Sequence, residues 1–80
     1  MIVSAEISYY PLAEDFTSPI ARFIEELSGE DLEITIGTMS TSLTGEYSIL
    51  MKTLTHAMKQ LMTDYPSVFT IKISNSCIVK

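Results

Sequence analysis

Apolar and polar residues alternate along Ile2–Leu12, with Val3, Ala5 and Ile7 on one side and Ser4, Glu6, Ser8 and Tyr10 on the other. A period of two predicts a strand with one face on a core. Pro11, which has no N–H to give a ladder, marks its end. The spacing then changes to three and four. Ile20, Phe23, Ile24 and Leu27 share one face of a predicted helix, with Arg22, Glu25 and Glu26 opposite. Asp15, Thr17 and Ser18 are candidate caps. A Ser18 cap puts Pro19 at the first helical position, and Gly29 suits a left-handed end.

Leu32–Ile36 alternates again, with Leu32, Ile34 and Ile36 toward the core. Gly37-Thr38 reads as a two-residue turn of type II′, with Gly at the first central position. That register pairs Ile36 with Met39, Ile34 with Thr41 and Leu32 with Leu43. Met39, Thr41 and Leu43 then face the core, and Ser40 and Ser42 lie on the other side, across from Thr35 and Glu33. A slip of one residue would exchange the faces. Thr44-Gly45 predicts a break, either residue capping a long helix. In that helix Tyr47, Leu50, Met51, Leu54, Ala57, Met58, Leu61, Met62 and Tyr65 keep helical spacing as far as Pro66. Val68–Ser74 alternates as a last strand, with Phe69, Ile71 and Ile73 inward and Thr70, Lys72 and Ser74 outward. The short apolar tail Cys77–Lys80 follows an Asn75-Ser76 turn signal and suits an edge strand or an oligomer contact.

The order strand, helix, strand, strand, helix, strand gives an α+β class. With right-handed crossovers it is the ferredoxin-like βαββαβ sandwich: a four-stranded antiparallel sheet, both helices on one face, the first and third strands central. The other sheet face is left open. It would carry Ser4, Glu6, Ser8, Tyr10, Thr35, Ser40, Ser42, Thr70, Lys72 and Ser74.

Eighty residues make one domain, 1–80. A chain of this size buries roughly 60–65% of its unfolded surface, a modest core. With one cysteine and one histidine it has no internal disulfide and no metal cluster, so self-association is the support left by elimination. Ten acidic against five basic residues give a net charge of −5. That disfavours nucleic acid and anionic membrane and is compatible with a cationic small ligand. Met1 leads straight into the first strand without the features of a leader, and no apolar run is long enough for a span, so a cytoplasmic protein is expected.

The side chains point away from catalysis. Met51, Met58 and Met62 read as core filling and His56 as a surface histidine. Cys77 lacks an activating environment apart from Lys80. No nucleophile–base pair emerges, and the three glycines stand too far apart for a phosphate loop. An acylphosphatase-like hydrolase would want an arginine anion cradle, and Arg22 lies within a predicted helix. Neither an enzyme nor a cofactor is expected. The open face then has two readings. It is a solvated or subunit-contact surface with Glu6 and Lys72 as a cross-strand ion pair. Or it is a polar pocket closed by a partner, in which Glu6 supplies a countercharge, Ser8 and Ser40 hydrogen bonds and Tyr10 an aromatic wall for a flat amino-bearing heterocycle.

The stretch Ala5-Glu6-Ile7-Ser8-Tyr9-Tyr10-Pro11-Leu12 followed by Glu14-Asp15-Phe16 resembles the opening of the YkoF-like thiamine- and hydroxymethylpyrimidine-binding family. Gly37-Thr38-Met39-Ser40-Thr41, Gly45 before a long helix, and Phe69-Thr70-Ile71-Lys72-Ile73 are similar to the same family. The resemblance implies a ferredoxin-like fold that associates through its sheets. It also implies binding of thiamine or its pyrimidine moiety without chemistry, in connection with uptake or salvage. Some relatives carry two such domains, so this single domain would act as a homodimer or homotetramer. Carried over residue by residue, the ligand-binding positions are Glu6, Ser8, Tyr10, Thr38, Ser40 and Thr41. The alternative is a structural or regulatory interaction module whose open face is only a subunit interface, with no small ligand.

Overall fold

The computed structural model describes residues 1–29 and 31–76. Strand β1 (Ile2–Pro11) is followed by helix α1 (Thr17–Leu27), strands β2 (Glu33–Ile36) and β3 (Thr41–Glu46), helix α2 (Tyr47–Asp64) and strand β4 (Ser67–Ser74). The strands form one antiparallel sheet in the order β2-β3-β1-β4. This is the βαββαβ sandwich, with β1 and β3 central as the order of elements predicts. The expectation for Cys77–Lys80 lies outside the described residues.

The inward row of β1, Val3, Ala5 and Ile7, is at most 2% exposed. It packs with Leu43 of β3, Phe23 and Leu27 of α1, and Leu50, Leu54, Ala57 and Leu61 of α2 in one cluster. The stripe on α2 is narrower than its sequence spacing suggests. Met51, Met58 and Tyr65 pack against the core from its margin, but Tyr47 and Met62 are 43% and 54% exposed. Met62 is therefore not core filling: it stands in the last turns of the helix, away from the row that meets the sheet. Ile73, expected inward, is likewise 43% exposed near the end of edge strand β4.

The element ends differ from expectation in four places. Helix α1 begins at Thr17 with Phe16 in the N-cap position; of the three candidates Asp15, one residue further out, supplies the hydrogen bonds, its Oδ1 accepting the N–H groups of Thr17 (3.0 Å) and Ser18 (3.3 Å). Pro19 still falls in the first turn, where an N–H has no intrahelical partner to lose. The helix closes on Ser28, in extended backbone, with its N–H on the carbonyls of Ile24 and Glu25 and its Oγ on Ile24 O at 2.9 Å. Gly29 is therefore not the left-handed terminus, since no described residue has a positive φ.

The second difference is the β2–β3 turn. Ile36 pairs with Thr41, Thr35 with Ser42, and Ile34 with Leu43. The turn is centred one residue later than Gly37-Thr38, on Thr38 and Met39, with the Gly37 N–H donating to Ser40 O at 2.8 Å. A type II′ turn needs a positive φ that is not present here. Moving the centre by one residue moves every partner by two, so the faces are kept. Thr41 and Leu43 stay inward at 7% and 0% exposure, whereas Met39 leaves the strand and is 85% exposed.

Third, Thr44-Gly45 does not break β3, which continues to Glu46 with Gly45 opposite Val3. A Cβ at Gly45 would collide with Leu32 Cδ2 and lie 3.2 Å from Asp31 O, so glycine lets the segment entering β2 cross closely. Fourth, neither Thr44 nor Gly45 caps α2. The Glu46 carboxylate accepts from the N–H groups of Ser48 (2.8 Å) and Ile49 (3.4 Å). Its charge also suits the positive end of the helix.

Two outcomes test this account. Gly45→Ala should destabilise by about 1–3 kcal/mol, the usual cost of overpacking, in urea unfolding. The Asp15 carboxyl is held below its ordinary value of 3.8 by the Ser18 side-chain hydrogen bond first, and then by the Ser18 and Thr17 N–H groups. A lowered folded value stabilises above the unfolded one and is lost as pH falls through the folded one. Asp15→Asn should thus flatten the loss of stability below pH 3.8, read from the thermal midpoint against pH.

Candidate functional site

The outward residues of β1 meet those of both neighbours in rows. One row runs Thr35, Ser42, Glu6, Lys72, and the next Glu33, Thr44, Ser4, Ser74. Ser4 and Thr44 share a hydroxyl hydrogen bond of 3.0 Å. Glu6 Oε1 lies 3.7 Å from Lys72 Nζ, and Glu6 Oε2 accepts from Ser40 Oγ at 3.0 Å. The expected cross-strand pair is therefore present. With Lys72 80% and Glu6 51% exposed it adds little stability. Ser4, Glu6, Ser42, Thr44, Lys72 and Ser74 border a shallow depression of about 330 Å³. Tyr10 stands further along, opposite Val68, and both are about half exposed.

A second concavity lies on the helix side of the sheet, where the end of β1 passes under α1 beside the β2–β3 turn. It holds about 150 Å³. Its inner wall is Ile7, Tyr9 and Phe23. Its polar side is the segment Gly37-Thr38-Met39-Ser40-Thr41, and the exposed Ile20, Ile36 and Met39 form its lips. The aromatic wall follows from strand parity, because Tyr9 continues the inward row of Val3, Ala5 and Ile7. Tyr9 stacks on Phe69 with ring centroids 4.5 Å apart and planes 7° from parallel. Phe23 of α1 tilts against both rings at 5.1 and 5.3 Å. The Tyr9 hydroxyl meets Ser67 Oγ at 3.1 Å, which satisfies its polar end.

The candidate residues divide between these places. Glu6, Ser8 and Tyr10 stand on the open face. Thr38 and Thr41 line the cleft. Ser40 serves both, lining the cleft while its hydroxyl reaches Glu6. The cleft residues that sequence reasoning passed over include Tyr9, Phe23 and Ile20. The available signal was the parity of Tyr9 with the buried row and the inward position of Phe23. On the outer side of the helices, Arg22 donates to Asp64, a hydrogen bond that raises its pKa, and His56 faces Glu26 at 3.6 Å. Arg22 is thus committed to α2 rather than to an anion cradle. Among the described residues no three His, Cys, Asp or Glu side chains converge as metal ligands would, and no helix is long and apolar enough to cross a membrane.

A family model described as thiamine-binding protein matches residues 5–76. A protein from Streptococcus pneumoniae superposes with a TM-score of 0.87 at 22% identity, over 98% of this chain and 90% of that one. A candidate thiamine biosynthesis/salvage protein from Thermotoga maritima gives 0.83 at 23%, over 95% and 85%. A hypothetical protein from Methanocaldococcus jannascii gives 0.83 at 24%, over 99% and 84%. At these identities the likeness is one of fold. Among curated proteins none matches.

The wall of the cleft is open to a direct test. Tyr9→Phe keeps the stack on Phe69 and removes only the bond to Ser67, and should cost about 0.5–1.5 kcal/mol in urea unfolding. Tyr9→Ala should cost several times more by emptying the wall.

Proposed function

Because this chain belongs to the thiamine-binding protein family, we propose that it binds thiamine or its hydroxymethylpyrimidine moiety without transforming it, in the service of vitamin uptake or salvage in the cytoplasm. The carrying observation is the cleft, where an aromatic wall and a polar turn converge. A space of about 150 Å³ lies below the roughly 300–1,000 Å³ of sites that enclose a whole drug-sized ligand. It matches the ~150 Å³ cavity known to take one benzene-sized ring. In this reading the pyrimidine enters and the cationic thiazolium remains outside, past Ile20, Ile36 and Met39. The ring packs along Tyr9 and Phe23, and Thr38, Ser40 and Thr41 offer hydrogen bonds to its nitrogens and amino group. The net charge of −5 favours a cation at the mouth.

A second reading concerns the open face and rests on the hydroxyl-lined depression beside Glu6. We propose that a second copy of the chain covers it, giving a homodimer or a homotetramer through the sheets. On this reading Tyr10 meets the other subunit and not the ligand.

Calorimetric titration should show saturable binding of hydroxymethylpyrimidine and of thiamine, with the pyrimidine accounting for most of the affinity. Absence of heat and of any thermal shift at millimolar concentrations of both compounds would refute the ligand reading. For the assembly, Ser42→Arg, placed beside Glu6 and Thr35, should turn the oligomer into a monomer in native mass spectrometry; a wild-type monomer would dismiss it.

A further inference from the structure

The turn that walls the cleft is tied down from the opposite side of the sheet. Ser40 Oγ donates to Glu6 Oε2 at 3.0 Å, and Ser8 Oγ donates to Met39 O at 3.4 Å. Both tethers start from outward residues of β1 and end on turn residues that line the cleft. Within the turn, one backbone bond, Gly37 N–H to Ser40 O, joins the two arms. With no positive φ the turn is not of the type whose twist closes a hairpin by itself, so side-chain tethers have more influence on where it lies. The two are unequal. A carboxylate acceptor makes the stronger bond, and 3.4 Å is beyond the usual range for a hydroxyl donor. The Glu6 carboxylate is also steadied on its other oxygen by Lys72 at 3.7 Å.

We propose that Glu6, with Ser8 in support, is a positioning residue for ligand binding. It touches no ligand. Through Ser40 it holds the 37–40 turn at the distance from Tyr9 and Phe23 that sets the cleft's width, and so selects a single flat ring. This rests on the thiamine reading for the identity of that ring. It also assigns a role to two open-face residues that the cleft leaves unused.

The test compares Glu6→Ala, Glu6→Gln and Lys72→Ala in the otherwise unchanged chain. One arm measures hydrogen exchange at the Gly37 amide without ligand. The other measures association and dissociation rates of hydroxymethylpyrimidine. Glu6→Ala should speed Gly37 exchange and ligand dissociation by about 3- to 10-fold, the worth of one hydrogen bond, with association nearly unchanged. Glu6→Gln, whose amide oxygen still accepts from Ser40, should recover most of both. Lys72→Ala should stay within about twofold of wild type, as for an exposed ion pair. Faster Gly37 exchange with unchanged ligand kinetics would overturn the proposal, and so would unchanged exchange in Glu6→Ala. If wild type binds neither thiamine nor hydroxymethylpyrimidine, the thiamine reading fails and ring selection fails with it. The ligand-free exchange arm then decides the tether alone.

Discussion

Strand β1 is hydrogen-bonded on both sides, to β3 over Ile2–Ile7 and to β4 over Ser4–Pro11. Every other layer depends on that double pairing. It fixes which side of Val3, Ala5 and Ile7 meets the helices, because a strand held at both edges cannot turn over without breaking two ladders. The inward row brings α1 and α2 onto the sheet and, one step further, delivers Tyr9 to the space beside the β2–β3 turn. The outward row lays Glu6 between Ser42 and Lys72. The two faces of one strand thus contribute to both of the concavities described above, and the turn at 37–40 is where they come closest to a common residue, Ser40.

Much of this architecture was legible in the sequence, because it rests on periodicity. The inward positions of β1 and the Leu50, Leu54, Ala57 and Leu61 row of α2 follow from spacing, and the order of elements leaves few topologies. What escaped was decided by local geometry. Gly37 and Gly29 suggested left-handed backbone, but the chain closes both places without it, through a turn centred one residue later and through the Ser28 hydroxyl. Gly45 looked like a strand breaker. It serves as a crossing point whose reason, the nearness of Leu32, exists only once β2 is in place. The cap of α2 was expected at Thr44 or Gly45, but the carboxylate that caps it follows at Glu46, at the end of a continuous strand.

The site was legible in part for a related reason. Polar alternation brought Glu6, Ser8 and Tyr10 forward, since hydroxyls and a carboxylate on a strand stand out against an apolar core. The cleft is built mostly from residues that read as ordinary core, Ile7, Tyr9 and Phe23, and its vacancy comes from how α1 lies over the strand end. No pattern in one dimension encodes that gap. Thr41 shows the same limit: it lies on the inward face of the expected parity, yet only the position of α1 decides that this face borders an open space.

Among the described residues the two edges of the sheet are unequal. β2 offers four residues and begins with Glu33, while β4 offers eight, with Lys72 outward near its far end. A short, charged rim is a poor template for a foreign strand, whereas a long one presents many unpaired amides and carbonyls. Aggregation from partly folded chains is therefore directed to one side. The hazard lies along β4, the last strand of the sandwich in chain order. A nascent chain that has made everything before Ser67 still lacks this partner for β1, and exposes the central strand until β4 arrives.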